Sequence, residues 1–235
     1  MRAVPLDPWL RHLRQHLPLA RTGQDPEGVH QVRVAGRRLR VWLRLAGMRT
    51  LDDDLAWLVR AAGEVRDLKV LLQMELPRAF REWAQARLEA ARERLLPVLD
   101  SRRLESLLLA LSLLPPLDAA AAEPQLERFL AQVERRAALW TQEDSFDALH
   151  ALRRGLRRLR YALEWLGRES RAIRSLQESF GRVGDLHFTL AYLQRFAEEG
   201  GRLPSGYLQE REAELAKALQ KARSTWREHA GGLRS

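Results

Sequence analysis

Two stretches of this chain carry histidine and arginine at matched spacing. His30, Arg33, Arg37, Arg38 and Arg40 are followed 120 residues later by His150, Arg153, Arg157, Arg158 and Arg160. At the helical step, His30, Arg33, Arg37, Arg40 and Arg44 fall within about 80° of one another, and Val32, Leu39, Leu43 and Ala46 take the opposite side. The second copy sets His150, Arg153, Arg157 and Arg160 against Leu152, Leu156, Leu159, Leu163 and Leu166. Like charges at i,i+4 repel by a few tenths of a kcal/mol per pair. A helix that gathers them on one face implies an anion that offsets the repulsion.

Arginine suits an oxyanion because its planar fork donates paired hydrogen bonds and stays charged at physiological pH. His30 to Arg44 extends roughly 21 Å at the α-helical rise, room for several anionic groups. Each charge-assisted hydrogen bond contributes about 1.5–3 kcal/mol. The candidate anion-binding residues are His30, Arg33, Arg37, Arg38, Arg40, Arg44, His150, Arg153, Arg157, Arg158, Arg160 and Tyr161, with Arg38 and Arg158 at the edge and Tyr161 offering a hydroxyl. Any one arginine alone reads as solvated surface charge; the matched set points to a ligand. Two readings of His30 and His150 stand. They are either protonatable donors, with tighter binding at mildly acidic pH, or buried histidines that hold helix geometry. Trp42 and Trp165 lie off the basic face, as core residues do.

The elements that must position these residues are helices. Leu, Ala, Arg and Glu dominate, and apolar positions recur at three and four. Prolines and caps predict helices over 5–17, 26–47, 52–76, 78–96, 101–114, 125–140, 145–167, 170–198 and 204–229, with Pro18, Pro77 and Pro97 as terminators. The stretch 115–124, with three prolines and four alanines, reads as a connector between similar halves. A second echo supports duplication: Gly63-Glu64-Val65-Arg66-Asp67-Leu68 parallels Gly181-Arg182-Val183-Gly184-Asp185-Leu186. The expected fold is all-α, with an N-terminal bundle over 1–116 and a C-terminal bundle over 123–235.

The 235 residues are 46% hydrophobic, enough for a core, and Lys+Arg 40 against Asp+Glu 31 gives a net charge of +9. That excess favours a polyanionic partner. Lysine occurs only at 69, 217 and 221, so the positive charge is nearly all arginine, a bias that GC-rich coding also produces. The absence of cysteine removes disulfides, thiolate zinc sites and cysteine nucleophiles. No apolar run suits a membrane span, and the first residues lack a signal-peptide core, so the expectation is a soluble intracellular protein. No cofactor or metal is called for.

These motifs resemble the CHAD family, the conserved histidine α-helical domain. Its first-half pattern, His-x-x-Arg-x-x-x-Arg-Arg-Leu-Arg, is matched by His30 through Arg40, and its second by His150 through Tyr161, with Glu164 following. Its two acidic blocks resemble Arg66-Asp67-Leu68-Lys69-Val70 and Val183-Gly184-Asp185-Leu186-His187-Phe188, with Lys69 and Phe188 each standing where relatives have Asp. The resemblance spans the chain. It implies two four-helix-type bundles related by a pseudo-twofold, forming one domain with a central basic channel that binds inorganic polyphosphate or other phosphate and sulfate anions. A cytoplasmic location, at polyphosphate granules, is implied too.

Two rival functions remain. The stripe lacks the Asn and Gln expected for reading bases and has few interleaved aromatics, which argues against nucleic acid. A metal-dependent polyphosphatase or phosphotransferase would draw on Asp67, Asp185, His187, His30 and His150. No metal-ligand spacing or Gly-rich phosphate loop supports it, so the expectation is a non-catalytic binder in which Asp67 and Asp185 orient arginines.

Overall fold

The computed structural model describes residues 2–23 and 25–233, and among them the fold is all-α. Helices α1 (Asp7–Thr22), α2 (Pro26–Leu45), α3 (Asp52–Leu72), α4 (Arg78–Leu99) and α5 (Arg102–Ser112) are followed by α6 (Ala119–Glu143), α7 (Phe146–Trp165), α8 (Arg171–Glu198) and α9 (Tyr207–His229). A 3-10 turn, Ala230–Leu233, follows α9, and two short strands, β1 (Ala3–Val4) and β2 (Leu117–Asp118), pair antiparallel. The chain divides into two compact units, Met1–Glu123 and Pro124–Ser235.

Side-chain caps start three of the four helices that carry the motifs. Asp25 accepts from the Glu27 N–H at 2.7 Å to open α2, and Ser145 accepts from Ala148 N–H at 3.2 Å to open α7. Ser170 does the same for α8 through Ile173. Each satisfies a donor that the first helical turn leaves without a partner. The two motif helices also end alike. Met48 N–H returns to Leu43 O and Arg168 N–H to Leu163 O, both at 2.8 Å, around Gly47 at φ 70° and Gly167 at φ 68°. That closure needs a left-handed residue, which glycine supplies without a Cβ clash.

In the first unit α1 packs on α2, α2 on α3 and α3 on α4. Leu13, Val32, Leu39, Leu43, Leu58, Leu68 and Phe80 are buried among them. In the second, α7 packs on α8 and α8 on α9. There Leu152, Leu156 and Leu159 are buried beside an aromatic cluster in which the Trp140 ring meets Phe180 edge-on at 5.3 Å. The apolar side of each motif helix is thereby consumed, and its arginine row is left partly exposed.

Proline is a weaker stop than expected. Helix α1 runs on through Pro18 to Thr22, and α4 through Pro97 to Leu99. A proline near a helix end forfeits one hydrogen bond, and here continued burial of Ala20 and Leu99 outweighs it. Much of the expected connector is ordered as well. Leu117–Asp118 pairs with β1, the Asp118 carboxylate accepts from Ala120 N–H at 3.1 Å, and α6 begins at Ala119 and continues through Pro124. Four alanines, the best helix formers, read better as helix than as linker. In the other direction α3 ends at Leu72, short of Pro77.

Candidate functional site

In the first unit the basic row of α2 meets α3. Arg33 donates from Nη1 to Asp67 Oδ1 at 2.6 Å and approaches the Gly63 carbonyl at 3.5 Å. From α3, Arg66 Nε faces His30 Nδ1 at 3.4 Å and donates toward it, so the ring presents a lone pair there. Half-burial lowers the pKa of His30, and the charges of Arg66, Arg37 and Arg33 push the same way against Glu27. His30 is therefore predominantly neutral at neutral pH without a ligand.

Further along α2 the arginines are held by a carboxylate. Arg40 grips Asp52 with two donors, at 2.7 and 3.1 Å, and Arg44 adds a third at 2.8 Å. Asp52 is 14% exposed. Burial raises its pKa, but the hydrogen bonds and charges of Arg40 and Arg44 outweigh that and hold the carboxyl below its ordinary range. Arg38 stacks its guanidinium 4.2 Å from the centre of the Trp9 ring on α1, a cation–π contact. Partial burial and then Arg92 lower the pKa of Lys69, which Asp25 and Glu27 oppose.

The second unit builds the same seam from α7 and α8 with different neighbours. Arg153 lies 3.7 Å from Asp185, beyond hydrogen-bond length. His150 keeps an exposed side chain, yet its pKa is lowered by lost hydration and then by Arg154, Arg153, Arg157 and His187. The His187 ring stacks on Phe146 at 3.4 Å; its own pKa is lowered by lost hydration, against the charge of Asp147. Arg160 pairs with Glu164 at 3.1 Å and lies 5.3 Å from the centre of the Tyr161 ring. Tyr161 is buried at 5% exposure, and Phe188 packs against Tyr192. Arg157 and Arg158 are half-buried on the same helix.

The structure thus brings together His30, Arg33 and Arg37 in one seam and His150, Arg153 and Arg157 in the other. Arg40 and Arg44 are drawn to Asp52, Arg38 to Trp9, and Arg160 to Glu164. Sequence reasoning passed over Asp52, Arg66, Arg154 and Gly184. The block comparison contained Arg66 and Gly184, but nothing in spacing pointed to Asp52. Among the described residues, no group of three His, Asp or Glu side chains is placed to hold a metal ion.

In each unit a His/Arg helix packs on a helix that carries a Gly-x-x-x-Asp block, within an all-α fold. The CHAD domain family profile matches residues 6–169, and the chain belongs to that family. It is similar to the crystal structure of the CHAD domain from the plant Ricinus communis, with a TM-score of 0.70, 26% identity and coverage of 98% of this chain and 89% of that one. The fold also resembles PptA from Streptomyces chartreusis, with a TM-score of 0.72, 18% identity and coverage of 95% and 97%. No match to a curated protein is found. No helix among the described residues is long and apolar enough to cross a membrane.

Proposed function

We propose that this chain binds inorganic polyphosphate through its two Arg/His seams and does not act on it chemically. The observation that carries the reading is that each motif histidine sits among arginines: Arg66 of α3 donates toward His30 beside Arg33 and Arg37, and Arg153, Arg154 and Arg157 lie near His150. Lost hydration first, and those charges second, lower the pKa of both rings. A fold that gathers positive charge twice, at a cost in repulsion, is built for an anion that relieves it. A linear polyphosphate suits a row of guanidiniums at helical spacing, since each fork meets oxygens along a flexible line. Membership in the CHAD family supports the same ligand.

The test is calorimetry with polyphosphates of defined length on wild type and on Arg37→Ala/Arg157→Ala. The double variant is expected to lose at least tenfold in affinity. Wild-type affinity in that variant would remove the seams as the site. Incubation with polyphosphate and Mg²⁺ is expected to release no phosphate; sustained release would replace binding with hydrolysis.

A further inference from the structure

The repeated block on α3 and α8 differs at two positions, Glu64 against Arg182 and Arg66 against Gly184, and the second exchanges a long side chain for none. In the first unit, Arg33 occupies the turn of Gly63. Its Nη2 lies 4.0 Å from where a Cβ on Gly63 would stand, its Nη1 is 3.5 Å from the Gly63 carbonyl, and Asp67 holds it at 2.6 Å. The next turn belongs to Arg66, which reaches to His30.

The second unit arranges the same parts differently. Nothing lies within 4 Å of where a Cβ on Gly181 would stand. The Arg153 guanidinium lies over Gly184 instead, with Nη1 2.6 Å and Cζ 2.8 Å from the position a Cβ would take there. That is nearly one helical turn further along, in the room that Arg66 fills in the other unit. From there Arg153 is 3.7 Å from Asp185, where Arg33 is 2.6 Å from Asp67. Arg33 must give up a short charge-assisted hydrogen bond to meet a phosphate. Arg153, seated by shape, gives up far less.

We infer that Gly184 is a positioning residue: its missing side chain seats the Arg153 guanidinium against α8 in a loosely paired state, ready for an incoming phosphate. This rests on the polyphosphate reading above and adds that the α7–α8 seam is the more readily recruited of the two. A methyl at 184 displaces only the far end of a flexible side chain, so the variant folds, but the guanidinium loses its seat.

Gly181 supplies the control. In the full chain, Gly181→Ala and Gly184→Ala make the same exchange in the same helix with the same gain in helix propensity, and only the second meets Arg153. Gly181→Ala is expected to bind polyphosphate as wild type does, and Gly184→Ala about fivefold more weakly. Arg153→Ala is expected to weaken wild type similarly, yet to add little in the Gly184→Ala background. Wild-type affinity in Gly184→Ala, or full additivity with Arg153→Ala, overturns the inference. A ligand-free readout separates it from the functional reading. The Arg153 Nε–H resonance, identified by its loss in Arg153→Lys, is expected to move in Gly184→Ala and not in Gly181→Ala. An unmoved resonance sinks the seating whether or not polyphosphate binds, and a wild type that binds no polyphosphate sinks the function alone.

Discussion

Asp52 shows how one carboxylate reassigns two arginines. Arg40 and Arg44 share the angular sector of Arg37 on α2, yet three hydrogen bonds commit them to the first residue of α3. A carboxylate in the first turn of α3 is also favoured by that helix's dipole. Replacing Asp52 with Asn leaves two half-buried cations short of their counter-charge, and unfolding by urea is expected to show a loss of about 2 kcal/mol. Polyphosphate affinity is expected to hold or tighten, because Arg40 and Arg44 are released toward the row; a weaker complex would count against that division of labour. The sign of the pH effect follows from the lowered carboxyl pKa. The contribution of Asp52 is present above the unfolded carboxylate value of 3.8 and is lost as pH falls through the lower folded value.

At the scale of elements, α2 and α7 are two realisations of one design. Each opens on a side-chain cap, buries an apolar stripe, keeps a partly exposed arginine row and closes around a left-handed glycine. Periodicity and caps made these features legible, because they depend on residues a few positions apart. Prolines misled for the complementary reason. Whether one lost hydrogen bond ends a helix depends on what the following residues bury, as Pro18, Pro97 and Pro124 illustrate. Ser145→Ala is expected to cost about 1 kcal/mol in thermal or chemical unfolding, with polyphosphate affinity unchanged because the cap lies outside the arginine row. A large loss of binding in that variant would mean that α7 frays enough to disturb His150.

Across the whole molecule the free protein resists protonation at His30, His150 and His187, whose pKa values all lie below the ordinary 6.5. A group with a depressed folded pKa contributes stability that is full above the unfolded value and fades as pH falls through the folded one. Mild acid is therefore expected to lower the Tm of the free protein. A bound polyanion raises the same pKa values, so affinity should increase from about pH 7.5 to about pH 5.5 with proton uptake. Calorimetry in buffers of different ionisation enthalpy measures that uptake, and binding with no proton linkage would exclude the histidines from the site. Composition and helical period determined by themselves that the fold is all-α and that two helices each carry a row of arginines, since both are properties of residues a few positions apart. Only tertiary structure decided which arginines stay in the row. Asp52 captures Arg40 and Arg44, Trp9 takes Arg38, and Gly184 seats Arg153 where Asp67 clamps Arg33. The reason is physical: a guanidinium goes to whatever acceptor or space the neighbouring helix sets within reach, and helix packing brings that neighbour close from a distant part of the chain.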